Sequence, residues 1–313
     1  DQFVWGLNMQ DGILKRSFSC TMQNGAAIQV VAERFCSMHN PELGCLRYRV
    51  EAGGHLVEVM PYLDAGVTNA DSNWNDAFWS IHEVTHQGPG KAYVRAETNK
   101  THFGAAFAMN ALAHVTDSLG QRELAHTHLD SDASRVGIGF QAQLSSGESL
   151  TLEKYVGICT TLQHEAQELV GAALAHSDAA AASGWNSLVE SHQKAWARIW
   201  SQADIEISGD VASQQAIRFN IFHLNQTYRG DDARLNIGPK GFTGEKYGGA
   251  SYWDTEAYCI PFYLAGHPEH VARQLLVYRF NHLEKAIENA EKLGFSDGAA
   301  LYPMVTMNGE ECH

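Results

Sequence analysis

Tyr252-Trp253-Asp254-Thr255-Glu256 places two aromatic rings and two carboxylates next to one another, a combination suited to holding a sugar. The face of a Trp packs on the apolar C–H face of a pyranose, and an ionised Asp accepts charge-assisted hydrogen bonds from two neighbouring hydroxyls. For that work Asp254 must stay ionised, so it would orient the sugar rather than donate a proton. The same residues also fit a structural arrangement, with Trp253 in the core and Asp254 capping a helix over residues 255–263. Residue types alone are compatible with both.

Three further patterns invite chemistry. Five glycines fall between Gly238 and Gly249, but no register supplies the Gly-x-x-x-x-Gly-Lys-Ser/Thr of a nucleotide loop. They let backbone bend tightly and approach a ligand closely. His82-Glu83-Val84-Thr85-His86 matches the H-E-x-x-H of zinc proteases, a chemistry that needs a helix to gather both histidines on one ion. Here β-favouring Val84 and Thr85 lie inside the motif and Gly88-Pro89-Gly90 follows it, which predicts a strand and no metal. A strand puts Cα atoms four residues apart at roughly 13 Å, too far for one ion. The segment from His126 to Asp132 is expected to be a surface loop.

The elements that must position these residues change along the chain. Leu46, Tyr48 and Val50 alternate with Arg47 and Arg49, and the run turns at Gly53-Gly54 and resumes at Leu56, Val57 and Val59, predicting a hairpin. Another hairpin is expected around Gly88-Pro89-Gly90. Val136, Ile138 and Phe140 alternate before a Ser145-Ser146-Gly147 turn and a last strand pair. Many strands joined by short turns predict a large antiparallel sandwich.

Near Gln163 the pattern switches to helix. An Ala-rich stretch and the series Leu188, Val189, Trp196, Ile199 and Trp200 predict two linker helices. Ile217, Ile221, Leu224 and Tyr228 mark one helix that stops before Gly230. Leu276, Phe280, Leu283, Ile287 and Ala290 mark a second, with Pro268-Glu269 at its start, a Glu288–Lys292 pair and Gly294 past its end. Strands first and helices afterwards predict segregated domains rather than a doubly wound sheet.

At 313 residues, with 44% hydrophobic and 19% charged residues, the chain has material for two cores. A formal charge of −14 argues against nucleic acid or an anionic membrane surface as partner. Six scattered cysteines read as reduced thiols in a cytoplasmic protein. The chain begins at Asp1 without Met and stops at His313, so it reads as a piece of something longer.

Residues 235–263, together with the run from Tyr278 to His313, closely resemble the disaccharide phosphorylases of glycoside hydrolase family 65. The resemblance is close over about half the chain, centred on its second half, and looser over the β half. It implies an α+β multidomain architecture: an N-terminal antiparallel β-sandwich over 1–163, a helical linker over 164–203, and the start of an (α/α)6 barrel over 204–313. It implies that Trp253 and Asp254 hold the nonreducing glucose and that the run Gly309 to His313 opens the loop shaping the acceptor pocket, with His313 its first candidate contact. The family's general acid, a Glu in a Gly-Pro-Asn/Asp-Glu-Tyr motif, does not occur here and is expected beyond His313; Glu310 and Glu311 are not that acid.

The implied reaction is inverting phosphorolysis of an α-glucosyl disaccharide, maltose above all, to β-glucose 1-phosphate and glucose. Inorganic phosphate is co-substrate, and neither metal nor organic cofactor is expected. The sequence does not fix the oligomeric state, a homodimer being one open assembly, and the 313-residue chain alone is expected to be inactive. The trehalose and kojibiose branch of the family tends to carry Arg at the position of Lys240 and His at that of Ala250, so the departure favours maltose. A related hydrolase, and a noncatalytic sugar-binding module, are the other readings.

Overall fold

The computed structural model describes residues 2–23, 25–68, 77–239 and 250–312. The described residues divide into two compact units, one built from residues up to Trp196 and the other from Ala197 onward.

In the first unit the strands are β1 (Gln2–Asn8), β2 (Ile13–Thr21), β3 (Ala27–Cys36), β4 (Leu43–Glu51), β5 (Leu56–Val59), β6 (Tyr62–Asp64) and β7 (Trp79–Gly88). They continue with β8 (Lys91–Thr98), β9 (Gly104–Thr116), β10 (Gln121–Glu123), β11 (His128–Ser131), β12 (Arg135–Gln143) and β13 (Ser149–Thr160). Among the described residues these form two antiparallel sheets. The larger runs β1-β2-β3-β4-β13-β9-β8-β7, with β10 added at β9; the smaller is β11-β12-β5, with β6 also on β12. Val50, Val94, Met109, Val115 and Leu150 of the large sheet pack against Val59, Val136, Ile138 and Phe140 of the small one. The expected sandwich is present.

Two of the expected hairpins are different objects. β4 pairs with β3 and β13, whereas β5 pairs with β12 in the other sheet. Gly53-Gly54 therefore carries the chain between sheets. The Ser145-Ser146-Gly147 turn does the same in reverse, from β12 to the single long strand β13. The two crossings brace each other: Gly54 N donates to Leu144 O at 2.7 Å and Leu144 N donates to His55 O at 3.0 Å. The Gly88-Pro89-Gly90 hairpin joins β7 to β8 as expected.

His82 and His86 lie on β7, a strand interrupted by bulges after Ile81 and after His86. Glu83 is engaged by Arg95 Nε at 2.8 Å and by the Tyr93 hydroxyl at 2.9 Å, and these bonds hold its carboxyl below the usual range. The segment His126 to Asp132 departs from the loop expectation, since residues 128–131 pair with β12 as β11.

The helices expected as a linker are α1 (Leu169–Ser183) and α2 (Trp185–Ala203). α1 is packed on the sheet rather than spanning a gap: Leu169 and Ala173 meet Ala106, Ala108 and Cys159. Small residues on β9 and β13 permit this approach. A Cβ on Gly157 would stand 2.0 Å from the Ala173 carbonyl oxygen. β13 is buried throughout Ser149–Leu152 and then alternates, with Tyr155, Gly157 and Cys159 buried and Val156, Ile158 and Thr160 half-buried.

On α2, His192 is 1% exposed and stacks on Phe35 at 4.5 Å. Its Nδ1 accepts from Met38 N at 3.0 Å and its Nε2 donates to Gly12 O at 3.2 Å. Burial lowers its pKa from 6.5, offset in part by the Gly12 carbonyl and Asp11. The unfolded imidazole protonates as pH falls through 6.5 while the folded one resists, so this stabilisation is complete above 6.5 and is lost below it. The melting temperature of this unit is expected to fall on acidification below pH 6.5, and to fall less in His192→Gln, which can keep both hydrogen bonds. Identical pH dependence in the two proteins would remove His192 as the cause.

In the second unit, α3 (Val211–Thr227) starts at Asp210, whose carboxylate accepts from Ala212 N and Ser213 N, and ends before Gly230. There follow β14 (Ser251–Tyr252), a π-helix at Thr255–Cys259, α4 (Ile260–Gly266), α5 (Glu269–Asn281), α6 (Leu283–Lys292) and β15 (Val305–Thr306). The single helix expected across residues 269–292 is two helices meeting at His282, whose ψ of 17° breaks the α conformation. The buried stripe of α5 is Val271, Ala272, Leu275, Tyr278 and Arg279; Leu276 and Phe280 are 53% and 68% exposed. Lys285 pairs with Glu288, one turn from the expected Glu288–Lys292 pair. Among the described residues no helix is long and apolar enough to cross a membrane.

Candidate active site

Backbone pairing fixes the aromatic-acid cluster. Ser251 and Tyr252 pair with Thr306 and Val305, and Trp253 N donates to Met304 O at 3.3 Å. Thr255, 2% exposed, donates through Oγ1 to Ile237 O at 2.7 Å. Between these two anchors the chain turns into the wide π-helix, a geometry often found at functional sites because it redirects side chains out of the regular ladder.

The outcome for Trp253 and Asp254 is informative. Trp253 is 61% exposed, which removes it from the core. Asp254 has helical φ and ψ of −52° and −31° and its side chain makes no capping hydrogen bond. It has no ion pair or hydrogen bond with a described residue. Among the described residues, then, an exposed indole stands beside a carboxylate that neither caps the helix nor pairs with a cation.

Trp253 lines a cleft of about 350 Å³ with Glu256, Leu276, Arg279, Phe280, Tyr302 and Pro303. Asp254 is beside this cleft in the chain but is not one of the residues lining it. Glu256 is held by Arg279 in a two-pronged pair, Nε to Oε1 and Nη2 to Oε2 both at 2.9 Å. Arg279 is 9% exposed, so the pair forms a partly buried floor that fixes α5 to the π-helix. Burial, then the Glu256 and Asp254 carboxylates, pushes the Cys259 thiol up, which keeps it neutral and a poor nucleophile.

The C-terminal segment is tied down as well. Gly309 N donates to Thr306 Oγ1 at 2.7 Å, and Gly309 has a φ of 92° where an added Cβ would meet the His282 ring at 2.9 Å. The Glu311 carboxylate accepts from Met304 N at 2.9 Å and Val305 N at 3.3 Å, and Glu310 lies 3.4 Å from Lys285. Both carboxylates thus have structural contacts. His313 lies outside the described residues, as do Lys240 and the glycine-rich stretch through Gly249.

A larger groove of about 1250 Å³ occurs in the first unit, where Arg47 pairs with Glu33 and stacks on Trp185, and Arg49 pairs with Glu51. Its principal cations are committed to protein partners, so size does not make it the better candidate. The Glu256–Arg279 floor and the contribution of Tyr302 and Pro303 had no sequence signal. Glu256 and Arg279 stand 23 residues apart with no local pattern linking them.

Residues 1–199 match the glycosyl hydrolase family 65 N-terminal domain and residues 218–313 the central catalytic domain of that family. The chain belongs to glycoside hydrolase family 65. It is 39% identical to the maltose phosphorylase of Bacillus subtilis strain 168, over 98% of this chain and 39% of that protein. It is 30% identical to the α,α-trehalose phosphorylase of Thermoanaerobacter brockii, again over 98% and 39%. A solved structure titled putative kojibiose phosphorylase from human microbiome superposes with a TM-score of 0.87 at 25% identity, covering all of this chain and 40% of that one. The chain spans about 39% of the length of the curated phosphorylases it matches.

Proposed function

We propose that the protein carrying this chain is an inverting glycoside phosphorylase that converts maltose and inorganic phosphate to β-glucose 1-phosphate and glucose. The observation that carries the reading is the exposed Trp253-Asp254 pair in a family 65 chain that is 39% identical to a maltose phosphorylase. In this reading the Trp253 ring packs on the nonreducing glucose and Asp254, ionised, accepts from two of its hydroxyls. These contacts hold the anomeric carbon while phosphate attacks the face opposite the leaving sugar. A carboxylic acid outside this chain protonates the glycosidic oxygen, and phosphate replaces the base-activated water of an inverting hydrolase. His313 contributes to the acceptor pocket, the helices from α3 onward begin an (α/α)6 barrel, and the assembly is a homodimer.

The test uses the full-length protein with maltose, trehalose and kojibiose, each with and without phosphate. Maltose is expected to be cleaved, and only when phosphate is present. Equal glucose release in phosphate-free buffer would make the protein a hydrolase. Phosphate-dependent cleavage of trehalose in preference to maltose would move it to the specificity named for the Thermoanaerobacter brockii relative. Sugar binding without turnover would leave a binding module.

A further inference from the structure

Within the N-terminal unit, one ligand atom from each of Glu42, Cys159, His164 and His176 lies within 4.8 Å of all the others. These residues come from separate parts of the chain. Glu42 immediately precedes β4, Cys159 is on β13, His164 is in the turn after β13, and His176 is on α1. Glu42 Oε1 is 2.6 Å from His164 Nε2, and Glu42 Oε2 is 3.0 Å from His176 Nε2. The side-chain nitrogen of Asn40 donates to His176 Nδ1 at 3.1 Å, which leaves the ring proton on Nε2, facing Glu42; zinc at Nε2 takes that proton's place, and the Asn40 amide turns to present its oxygen to Nδ1–H.

Packing explains the convergence. Gly157 lets the backbone of α1 approach β13 at Ala173, and His176 follows Ala173 by three residues, on the same helix face and one turn along. That brings the imidazole to the level of Cys159, two residues beyond Gly157. Cys159 is fully buried, whereas the side chains of Glu42, His164 and His176 keep 20%, 22% and 29% of their exposure. The cluster therefore has a dry floor and an open mouth.

We propose that Glu42, Cys159, His164 and His176 form a structural zinc site that clamps α1 and the turn after β13 to the start of β4. A thiolate, two imidazoles and a carboxylate form a mixed donor set that suits zinc and not the oxygen-seeking calcium or magnesium. Tetrahedral zinc with bonds of about 2.0–2.3 Å places its ligand atoms roughly 3.3–3.7 Å apart. The two Glu42–His contacts, at 2.6 and 3.0 Å, are shorter than that range and every ligand atom lies within 4.8 Å of the others, so adjustments of roughly 1 Å by side chains on fixed backbone would suffice. Four protein ligands leave no open position for substrate, which makes the role structural. The site is unrelated to the H-E-x-x-H match at His82 and His86, which lies on β7 and shares none of these residues.

The test is metal uptake by the full chain, stripped with a chelator and shown to be folded by circular dichroism. One zinc per chain is expected, with a rise in melting temperature on zinc addition. Cobalt(II) in place of zinc should give intense tetrahedral d–d bands and a thiolate-to-metal charge-transfer band. Cys159→Ser should abolish that band, His176→Ala should weaken binding at least about tenfold, and His82→Ala should change neither. If the variants do not fold, the cobalt spectrum of the unaltered chain decides alone. No uptake by the folded chain, cobalt bound without a thiolate band, uptake indifferent to Cys159→Ser and His176→Ala, or zinc lost in His82→Ala would each overturn the proposal.

Discussion

Asp254→Asn in the full-length protein is expected to lower kcat/KM for its disaccharide by one to about three powers of ten while leaving the melting temperature unchanged. The carboxylate offers two charged oxygens to sugar hydroxyls; the amide offers one neutral oxygen and a donor in place of the other. Hydrogen bonds to a charged group contribute about 1.5–3 kcal/mol each, and each 1.4 kcal/mol is a factor of ten. Stability should be spared because Asp254 caps nothing and is exposed. The two readouts separate the alternatives. A loss of stability with near-normal turnover would return Asp254 to a structural role, whereas lost turnover in an equally stable protein places it on the substrate.

Arg279→Met is expected to destabilise the second unit by about 3 kcal/mol, measured by denaturant unfolding. Removing one partner of a buried ion pair leaves the other charge without compensation, at roughly 3–5 kcal/mol for a fully buried pair. The lower end applies because the Glu256 side chain keeps 26% of its exposure and water can reach it. Glu256→Gln combined with Arg279→Met should recover most of the loss, because the stranded charge is then absent. If the double variant is as unstable as the sum of the two single ones, the pair is not coupled and α5 is held to the π-helix by packing alone. Since Trp253 and Arg279 line the same cleft, Arg279→Met is also expected to weaken sugar binding through a displaced cleft wall rather than through a lost contact.

How far the sequence could be read depended on the range of the interaction concerned. The β7–β8 hairpin at Gly88-Pro89-Gly90 and the end of α3 before Gly230 were legible because turn and cap chemistry act over a few residues. Gly53-Gly54 and Ser145-Ser146-Gly147 were equally clear as turns, yet both send the chain into the other sheet. A turn signal specifies a change of direction, not the strand that will be met afterwards. The stripe through Leu276 and Phe280 failed for a related reason. Helical spacing shows that a face is apolar, but Val271, Ala272 and Leu275 lie on an overlapping stripe, and packing against Tyr228, Ile260 and Tyr263, with Arg279 paired to Glu256, selected that one.

The sequence by itself determined the order of strands then helices, the strand context that separates His82 from His86, and membership of a carbohydrate-active family through long runs around Trp253 and Asp254. Each of these rests on local periodicity, local turn chemistry, or a run of residues that stays together in the chain. Tertiary structure alone decided that the Trp253 ring is exposed and the Asp254 carboxylate caps nothing, that Arg279 reaches back 23 residues to Glu256, and that Glu42, Cys159, His164 and His176 converge. Those outcomes depend on which faces are buried when sheets and helices pack. Burial is settled by the sum of many weak contacts between distant segments, which no short window of sequence contains.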